Sequence, residues 1–382
     1  MDWTLWQWPF FEPRHHEIAE RVAAWRSPVH DHEVTEASLP EACREVAASL
    51  AQAGFLDLVV PREGEAIDLR AVCLAREGIG YHSALADCVL AMQGIGAGAI
   101  VQAGNAAQKA LLDGFRDGSK IAAFALTEPR SGSDVAGLET TAARDGDDYV
   151  LNGEKAYISN APFADHYVVL ARTGEAPGAR GLSAFSVPAD TPGLIAGEAT
   201  ALIAAHPAGP LRFDNCRIPA SALIGEAGRG FHLAMGVFDT FRTSVGAFSI
   251  GLARRAFDET VARVRERGLF GAPMAELAGV QDQIAAMNVE IELGALAVYR
   301  AAWAKDTTGG RCTREVSMAK LVGTENAGRA VDRAVQLWGG LGVTRGSIIE
   351  QLYREVRAAR IYEGASEVQQ LVIGRAVLKG AP

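Results

Sequence analysis

Tyr149-Val150-Leu151-Asn152-Gly153-Glu154-Lys155-Ala156-Tyr157-Ile158 is where the periodicity of this 382-residue chain changes. Apolar, β-branched and aromatic residues flank Asn152-Gly153, a pair that accepts the positive φ values of a type I′ turn. The spacing therefore predicts a β-hairpin. More strands are expected at 166–171, 182–187 and 211–213, punctuated by Pro188, Pro192, Pro207 and Pro210. Upstream, from about Pro13 to Lys120, the pattern is helical, and after Gly225-Glu226-Ala227-Gly228 it becomes helical again. In that last block Glu259 and Arg263 are spaced as an i,i+4 pair, and Gly268 is placed to stop their helix. Ile349, Leu352, Val356 and Ala359 recur at 3-4-3 spacing and predict a helix that leads to Glu363. The order is helix block, β block, helix block: an α+β chain.

Bulk properties narrow the function classes. Hydrophobic residues make up 49% and charged residues 22%, an ordinary globular composition. A net charge of −9 with no basic stripe argues against a nucleic-acid partner. Five scattered cysteines (Cys43, Cys73, Cys88, Cys216, Cys312) without C-x-x-C pairing read as buried thiols in a reducing, cytoplasmic setting. The first residues carry no basic-then-apolar leader pattern, so no signal peptide is expected. The apolar run near 85–101 contains Asp87, Gln93 and three glycines, and it reads as a buried helix with no membrane role. Its Gly94-Ile95-Gly96-Ala97-Gly98-Ala99 lacks the preceding strand that a nicotinamide-binding turn needs. The eight histidines show no metal-ligand spacing, and no metal is expected. Trp3, Trp6 and Trp8 read as an N-terminal hydrophobic plug.

Two loops carry chemistry. Ala125-Leu126-Thr127-Glu128-Pro129-Arg130-Ser131-Gly132-Ser133-Asp134 joins hydroxyls and glycines just ahead of the β block, as a cofactor-cradling turn requires. Ile361-Tyr362-Glu363-Gly364-Ala365-Ser366 sets a lone carboxylate between two helices. Gly364 can end the first helix in a left-handed conformation, and Ser366 with Gln369 spells a capping box for the second. Free backbone N–H groups at such a helix start can bind a developing oxyanion. From the residues alone Glu363 is either a catalytic base or a turn decoration.

Together these runs resemble the acyl-CoA dehydrogenase family, over nearly the whole chain from about residue 40 to Lys379. The resemblance implies an N-terminal helical domain (1–120), a middle β-barrel or sandwich domain (121–226) and a C-terminal four-helix bundle (227–382). It implies an FAD-dependent enzyme that dehydrogenates an acyl-CoA thioester between Cα and Cβ and passes electrons to an electron-transferring flavoprotein. By the same resemblance Glu363 removes the α-proton. In some relatives the base stands on another helix, one residue before an arginine; here that position is Phe241, before Arg242, and cannot take a proton. Phe124, Ala125, Leu126 and Thr127 should run along the isoalloxazine, with Gly132 and Ser133 near the pyrophosphate or the thioester arm. Tyr157, Ile158 and Ser159 match the segment that places an aromatic residue and a hydroxyl against the flavin ring, tyrosine standing for the more usual tryptophan.

Gln336-Leu337-Trp338-Gly339-Gly340-Leu341-Gly342 resembles the glycine turn that meets the adenine half of FAD, through Gln336, Gly339 and Gly340. Arg267 and Phe270 match an Arg-x-x-Phe element that reaches the FAD of a neighbouring subunit, and Gln281 matches one of two glutamines downstream, the other position being Ala278. Ala365, in place of a common threonine, and Glu367 complete the expected cofactor contacts. A site finished by a neighbour implies a homotetramer or a homodimer. Expected substrate contacts are Gln93, Gly94, Ser133, Asp239, Phe241, Arg242 and Gly364. Gly94, Gly96 and Gly98 should leave space in the acyl pocket and Phe241 should narrow its opposite wall, which implies a short branched, alicyclic or aryl-substituted acyl chain. The segment Ala204-Ala205-His206-Pro207-Ala208-Gly209-Pro210 departs from the family's loop for the CoA arm and leaves open a carrier-protein thioester. An oxygen-using oxidase of the same fold is the other alternative.

Overall fold

The structure is a computed structural model that describes residues 7–310 and 312–380, so Trp3 and Trp6 lie outside the described residues. Helices in chain order are α1 (Pro13–Ala24), α2 (Leu39–Gln52), α3 (Leu56–Val59), α4 (Leu69–His82), α5 (Ala84–Ala103), α6 (Ala106–Lys109), α7 (Leu112–Arg116), α8 (Gly230–Glu266), α9 (Ala278–Thr308), α10 (Thr313–Trp338), α11 (Ile348–Ala358) and α12 (Ser366–Leu378). The strands are β1 (Ala122–Ala125), β2 (Thr141–Asp145), β3 (Asp148–Ser159), β4 (His166–Arg172), β5 (Leu182–Pro188), β6 (Leu194–Ala196), β7 (Ala208–Pro219), β8 (Leu223–Ile224), β9 (Gly268–Leu269) and β10 (Ala272–Pro273). The expected α+β order of helices, sheet and helices is present. The chain forms two compact units: residues Met1–His32, Asp68–Asp87 and Arg242–Pro382, and residues Glu33–Ile67 and Cys88–Phe241.

The second unit is built on an eight-stranded sheet of order β6-β7-β3-β2-β4-β5-β8, with β1 parallel to β4. Burial alternates along β3 and β7, the mark of a sheet face open on one side, whereas β4 and β5 are buried almost throughout and so are covered on both faces. Asn152-Gly153 does not turn the chain. β3 runs straight through it for twelve residues, with a register shift between Leu151 and Gly153 opposite β7. Gly153 takes φ +145, and the Asn152 side chain accepts the backbone N–H of Asn215 across the ladder at 2.8 Å. The pair thus makes a bulge, and the hairpin turn lies upstream at Gly146 (φ +61), between β2 and β3.

α5 is the apolar run read as a buried helix, and most of it is buried. Its Gln93 is 0% exposed; it donates to the carbonyls of Phe115 and Lys120 (2.9 and 2.8 Å) and accepts the Ala122 N–H at 2.8 Å. Those bonds fix the start of β1, so Gln93 is a structural clamp and not the expected substrate contact. The three glycines do not leave space either. A Cβ on Gly94 would stand 2.4 Å from Cζ of Phe241, one on Gly96 2.6 Å from Cβ of Ala122, and one on Gly98 2.8 Å from Cγ2 of Val237. Each glycine admits a neighbouring side chain, and Phe241, buried to 1%, fills the room over Gly94.

The first unit is a helical bundle. Gly246 and Gly323 let α8 and α10 approach until a Cβ on Gly323 would lie 2.8 Å from Cα of Gly246. Inside it, Glu77 of α4 receives Arg254 at 2.7 Å and Tyr299 at 2.6 Å, and Arg254 also donates to Glu292 at 2.8 Å. Trp8 and Phe11 pack edge-on against Tyr299, and Phe10 lies against Trp303, so the N-terminal aromatics that are described do plug this core. Ile349, Leu352 and Val356 line the buried side of α11, as their spacing predicts. Glu259 pairs with Arg255, one turn earlier than expected, because Arg263 is drawn over the Trp338 ring at 4.8 Å.

Gly94→Ala should destabilise the fold by about 1–3 kcal/mol through overpacking against Phe241. Urea unfolding checks it: Phe241→Leu in the same chain should recover part of the loss, and a Gly94→Ala protein as stable as the parent would contradict the packing argument.

Candidate active site

The elbow between α11 and α12 is strained at two successive residues: Glu363 has φ +51 and Gly364 φ +90. A glutamate in the left-handed region needs outside support, and three side chains supply it. Arg242 Nε donates to the Glu363 carbonyl at 3.2 Å. Lys320 Nζ donates to the Gly364 carbonyl at 2.8 Å, and Gln369 Nε2 to the same oxygen at 2.9 Å. The expected capping box is absent. α12 begins at Ser366, whose hydroxyl donates to Glu325 at 2.6 Å, and Gln369 is turned back onto the elbow. With the carbonyls held from behind, the N–H groups of Glu363 and Gly364 take no hydrogen bond among the described residues.

The Glu363 carboxylate is in the same condition. Its Oε2 is out of water and has no hydrogen-bond partner among the described residues. Burial raises its pKa above the ordinary glutamate range, opposed by Arg76, Lys320 and Arg242, with Asp87 adding to the rise. Arg76 is itself committed: it grips Asp87 through Nε and Nη2 at 2.8 and 2.7 Å and donates to the Ser244 hydroxyl at 2.8 Å. A half-buried glutamate with one oxygen out of water and unpartnered, and a raised proton affinity, is suited to taking a proton. Sequence reasoning missed Lys320, Arg76 and Asp87. They lie on other helices; the buried run around Asp87 was legible, but that these three groups face Glu363 shows only on a finished fold.

In the second unit the Thr127–Asp134 loop is held from beneath. Glu128 turns inward, accepting the N–H groups of Glu139 and Thr140 (2.6 and 3.0 Å) and the ammonium of Lys155 at 2.8 Å. Burial would raise Glu128, but Lys155 and these bonds bring it net below its usual range; burial likewise lowers Lys155 to about 8 against the pull of Glu128. Lys155 also donates to the Leu126 carbonyl at 3.1 Å, and the Thr127 carbonyl accepts from Ala156. Phe124, Ala125 and Leu126 are buried and Thr127 is half-buried, while Gly132 and Ser133 are exposed. Arg130 lies on the surface near Glu139. Tyr157 sits at the second register shift of β3 with φ +55 and is 63% exposed, while Ile158 is buried. Ser159 bonds His206 Nε2 at 2.7 Å, and His206 Nδ1 lies 3.3 Å from the Cys88 sulfur; burial lowers His206 to about 4, so its ring is neutral. The sequence marked the His206 segment only as a departure from the family.

A third cluster forms at one end of the helical unit. The β9–β10 hairpin and the end of α10 share a small core in which Leu269, Met274, Val264, Val280 and Leu337 pack together. This brings the Arg267–Phe270 segment close to the Gln336–Gly340 turn. Phe270 is 94% exposed at φ +54, and Gly339 and Gly340 face open space. Gln281 caps the Ala275 carbonyl at 3.0 Å. Ala365 and Glu367 belong to the elbow, and Asp239 is half-buried on α8.

Residues 123–216 match the acyl-CoA dehydrogenase middle domain, and residues 228–378 match the acyl-CoA dehydrogenase C-terminal domain. The chain is 36% identical, over 88% of its length and 90% of the relative, to cyclohexane-1-carbonyl-CoA dehydrogenase of Geobacter metallireducens. It is 38% identical, over 86% of its length and 81% of the relative, to the mitochondrial short-chain specific acyl-CoA dehydrogenase of Mus musculus. The solved glutaryl-CoA dehydrogenase of Mycobacterium smegmatis, in complex with FADH2, superposes with a TM-score of 0.88 at 28% identity, over 98% of this chain and 96% of that one.

The chain belongs to the acyl-CoA dehydrogenase family. It is an FAD-dependent oxidoreductase acting on acyl-CoA. The residues present suit FAD: Tyr157 in the sheet unit and, separately, Phe270 in the helical unit are exposed aromatic rings at positive φ on which a planar group can stack, and Gly339 and Gly340 put no Cβ in the way of one.

Phe270→Ala should raise the Kd for FAD on the order of 10-fold while leaving the unfolding of the apoprotein within about 0.5 kcal/mol of the parent, because the ring touches so little of its own chain. Flavin titration and thermal melts of the same preparations would check both halves.

Proposed function

We propose that this enzyme takes a short acyl-CoA, branched, alicyclic or aryl-substituted in its acyl part, and makes it α,β-unsaturated with Glu363 as the base. The observation that carries this is the unpartnered, buried Oε2 of Glu363 beside two unused backbone N–H groups. Glu363 removes the α-proton, and the electrons of that C–H bond form the Cα–Cβ double bond as hydride leaves Cβ. FAD, when bound, supplies the hydride acceptor. The Glu363 N–H donates to the thioester carbonyl, which lowers the α-proton's pKa; one such donor supplies about 3–4 kcal/mol in comparable oxyanion sites. Phe241, at the alternative base position, is buried against Gly94 and leaves Glu363 without a competitor there.

In this reading Phe124–Thr127, Gly132, Ser133 and Tyr157–Ser159 hold the flavin half of the cofactor, Arg267, Phe270, Gln281, Gln336, Gly339 and Gly340 meet its adenine half on a neighbouring subunit, and Ala365 and Glu367 adjoin it. Ser133, Asp239, Phe241, Arg242 and Gly364 serve the substrate. Residues 1–120, 121–226 and 227–382 act as the helical, β and bundle segments. Self-association is supported by Val289, Leu293, Leu296 and Trp303, a row of large apolar side chains on α9, each more than 40% exposed. An electron-transferring flavoprotein in the same cytoplasmic compartment receives the electrons. The acyl class draws support from the relatives' names and from Phe241 filling the space over Gly94.

Glu363→Gln should keep bound FAD but lose acyl-dependent bleaching of the flavin, with turnover down on the order of 10²–10⁴-fold; full activity would remove Glu363 from its role. Across a panel of acyl-CoAs with a dye acceptor, short branched or cyclic chains should turn over best, and a preference for long straight chains would contradict the acyl assignment. The panel should include acyl-pantetheines. Leu202 and Ile203 are exposed in the loop before His206, which offers no lysine or arginine to a nucleotide, and equal turnover on pantetheine thioesters would favour a carrier-protein substrate.

A further inference from the structure

Lys320 lies on α10, is 0% exposed and has one acceptor among the described residues, the Gly364 carbonyl at 2.8 Å. An ammonium has three donors, so two are unused. Burying a cation with so little hydrogen bonding is costly, and a nearby carboxylate is what offsets the cost. The charged and titratable groups that face Glu363 are Arg76 from α4, Asp87 from α5, Arg242 from α8 and Lys320 from α10. Arg76 is the foremost of the charges that oppose the rise, although it is bound to Asp87 as a bidentate pair and Asp87 offsets part of its effect. Lys320 comes next and Arg242 after it, and Glu325 and Glu367 also act on Lys320.

We propose that Lys320 is a positioning residue for the reaction: through the Gly364 carbonyl it holds the elbow, and through its charge it keeps Glu363 ionised when substrate arrives. Two observations converge on this. The ammonium is hydrogen-bonded at 2.8 Å to the carbonyl of Gly364, the residue next to Glu363, so the contact that fixes this carbonyl also holds a positive charge at the elbow. The charge is also sensitive to its surroundings: burial lowers Lys320 to about 8, and Glu363 is the foremost group resisting that fall. Each group therefore supports the ionised form of the other, and the two titrate as a coupled pair. The sign follows. Removing a positive charge near a carboxylate disfavours its ionised form, so the pH below which the base is protonated rises.

This inference rests on Glu363 being the base. The test compares Lys320→Gln, which can still donate to the Gly364 carbonyl but carries no charge, with Lys320→Met, which can do neither. The pH profile of kcat/KM is read with the best acyl-CoA of the panel and a dye acceptor. In Lys320→Gln the acid limb should move to higher pH by about one unit or more, with flavin content and melting temperature near those of the parent. Lys320→Met should show the same displacement and a lower kcat, because the elbow is also loosened. An acid limb that stays in place in a folded, flavin-loaded Lys320→Gln overturns the proposal. Failure of both variants to fold overturns it too, since Lys320 would then be structural only. Glu363→Gln measured alongside separates the two readings: turnover surviving there removes the base itself, whereas an inactive Glu363→Gln with an unmoved limb in Lys320→Gln removes Lys320 alone.

Discussion

Everything proposed for this enzyme depends on one backbone constraint, the left-handed conformation forced on Glu363 and Gly364 between two helices. Left to itself, a glutamate avoids positive φ. Here Arg242, Lys320 and Gln369 take the two carbonyl oxygens of the elbow, which leaves the N–H groups unused on the other side. The side chain follows the backbone into a place where one of its oxygens has no partner. An enzyme of this family needs a base that is hungry for a proton and a donor that can meet a developing oxyanion. On the proposed reading a single turn of strained chain provides both, because its carbonyls are occupied elsewhere.

The 127–134 loop in the sheet unit uses the same device in different chemistry. The loop 127–134 would be an ordinary exposed Gly/Ser turn if Glu128 pointed outward. Glu128 is instead drawn into a buried pair with Lys155 and receives two backbone N–H groups. Buried pairs of this kind contribute little net stability, but removing one partner leaves an uncompensated charge, commonly at a cost of about 3–5 kcal/mol. Their value here is registry: Lys155 also holds the Leu126 carbonyl, so the loop, β1 and β3 are tied at one ammonium. Gln93 does the same at the other end of β1, with an amide in place of a charge.

Glycine pattern was legible in the sequence but ambiguous in meaning. Gly94, Gly96 and Gly98 look like room for a ligand, yet each is small so that another part of the protein can approach it. Asn152-Gly153 looks like a turn, yet it relieves register along a twelve-residue strand. In both cases the residues state that the backbone is special, and only the partner strand or helix says why. The Ser366–Gln369 capping signal failed for a related reason: the two side chains found better partners, Glu325 and the elbow carbonyls, than the helix end they could have served.

Periodicity and short-range grammar were enough to determine the order of helices and strands, the buried character of α5, the amphipathic helix leading into Glu363, and the family to which the two loops belong. Those features are local, since each depends on residues within a few turns of one another. Which charges surround Glu363 was settled by tertiary structure. Arg76 and Asp87 come from the consecutive helices α4 and α5, Arg242 and Lys320 from α8 and α10 far along the chain. The sequence marked Asp87 as lying in a buried run and Arg242 as a site residue, but nothing local to any of them says that all four face Glu363. Burial makes the difference: once water is excluded, a charge is felt by whatever faces it, and the fold chooses what that is.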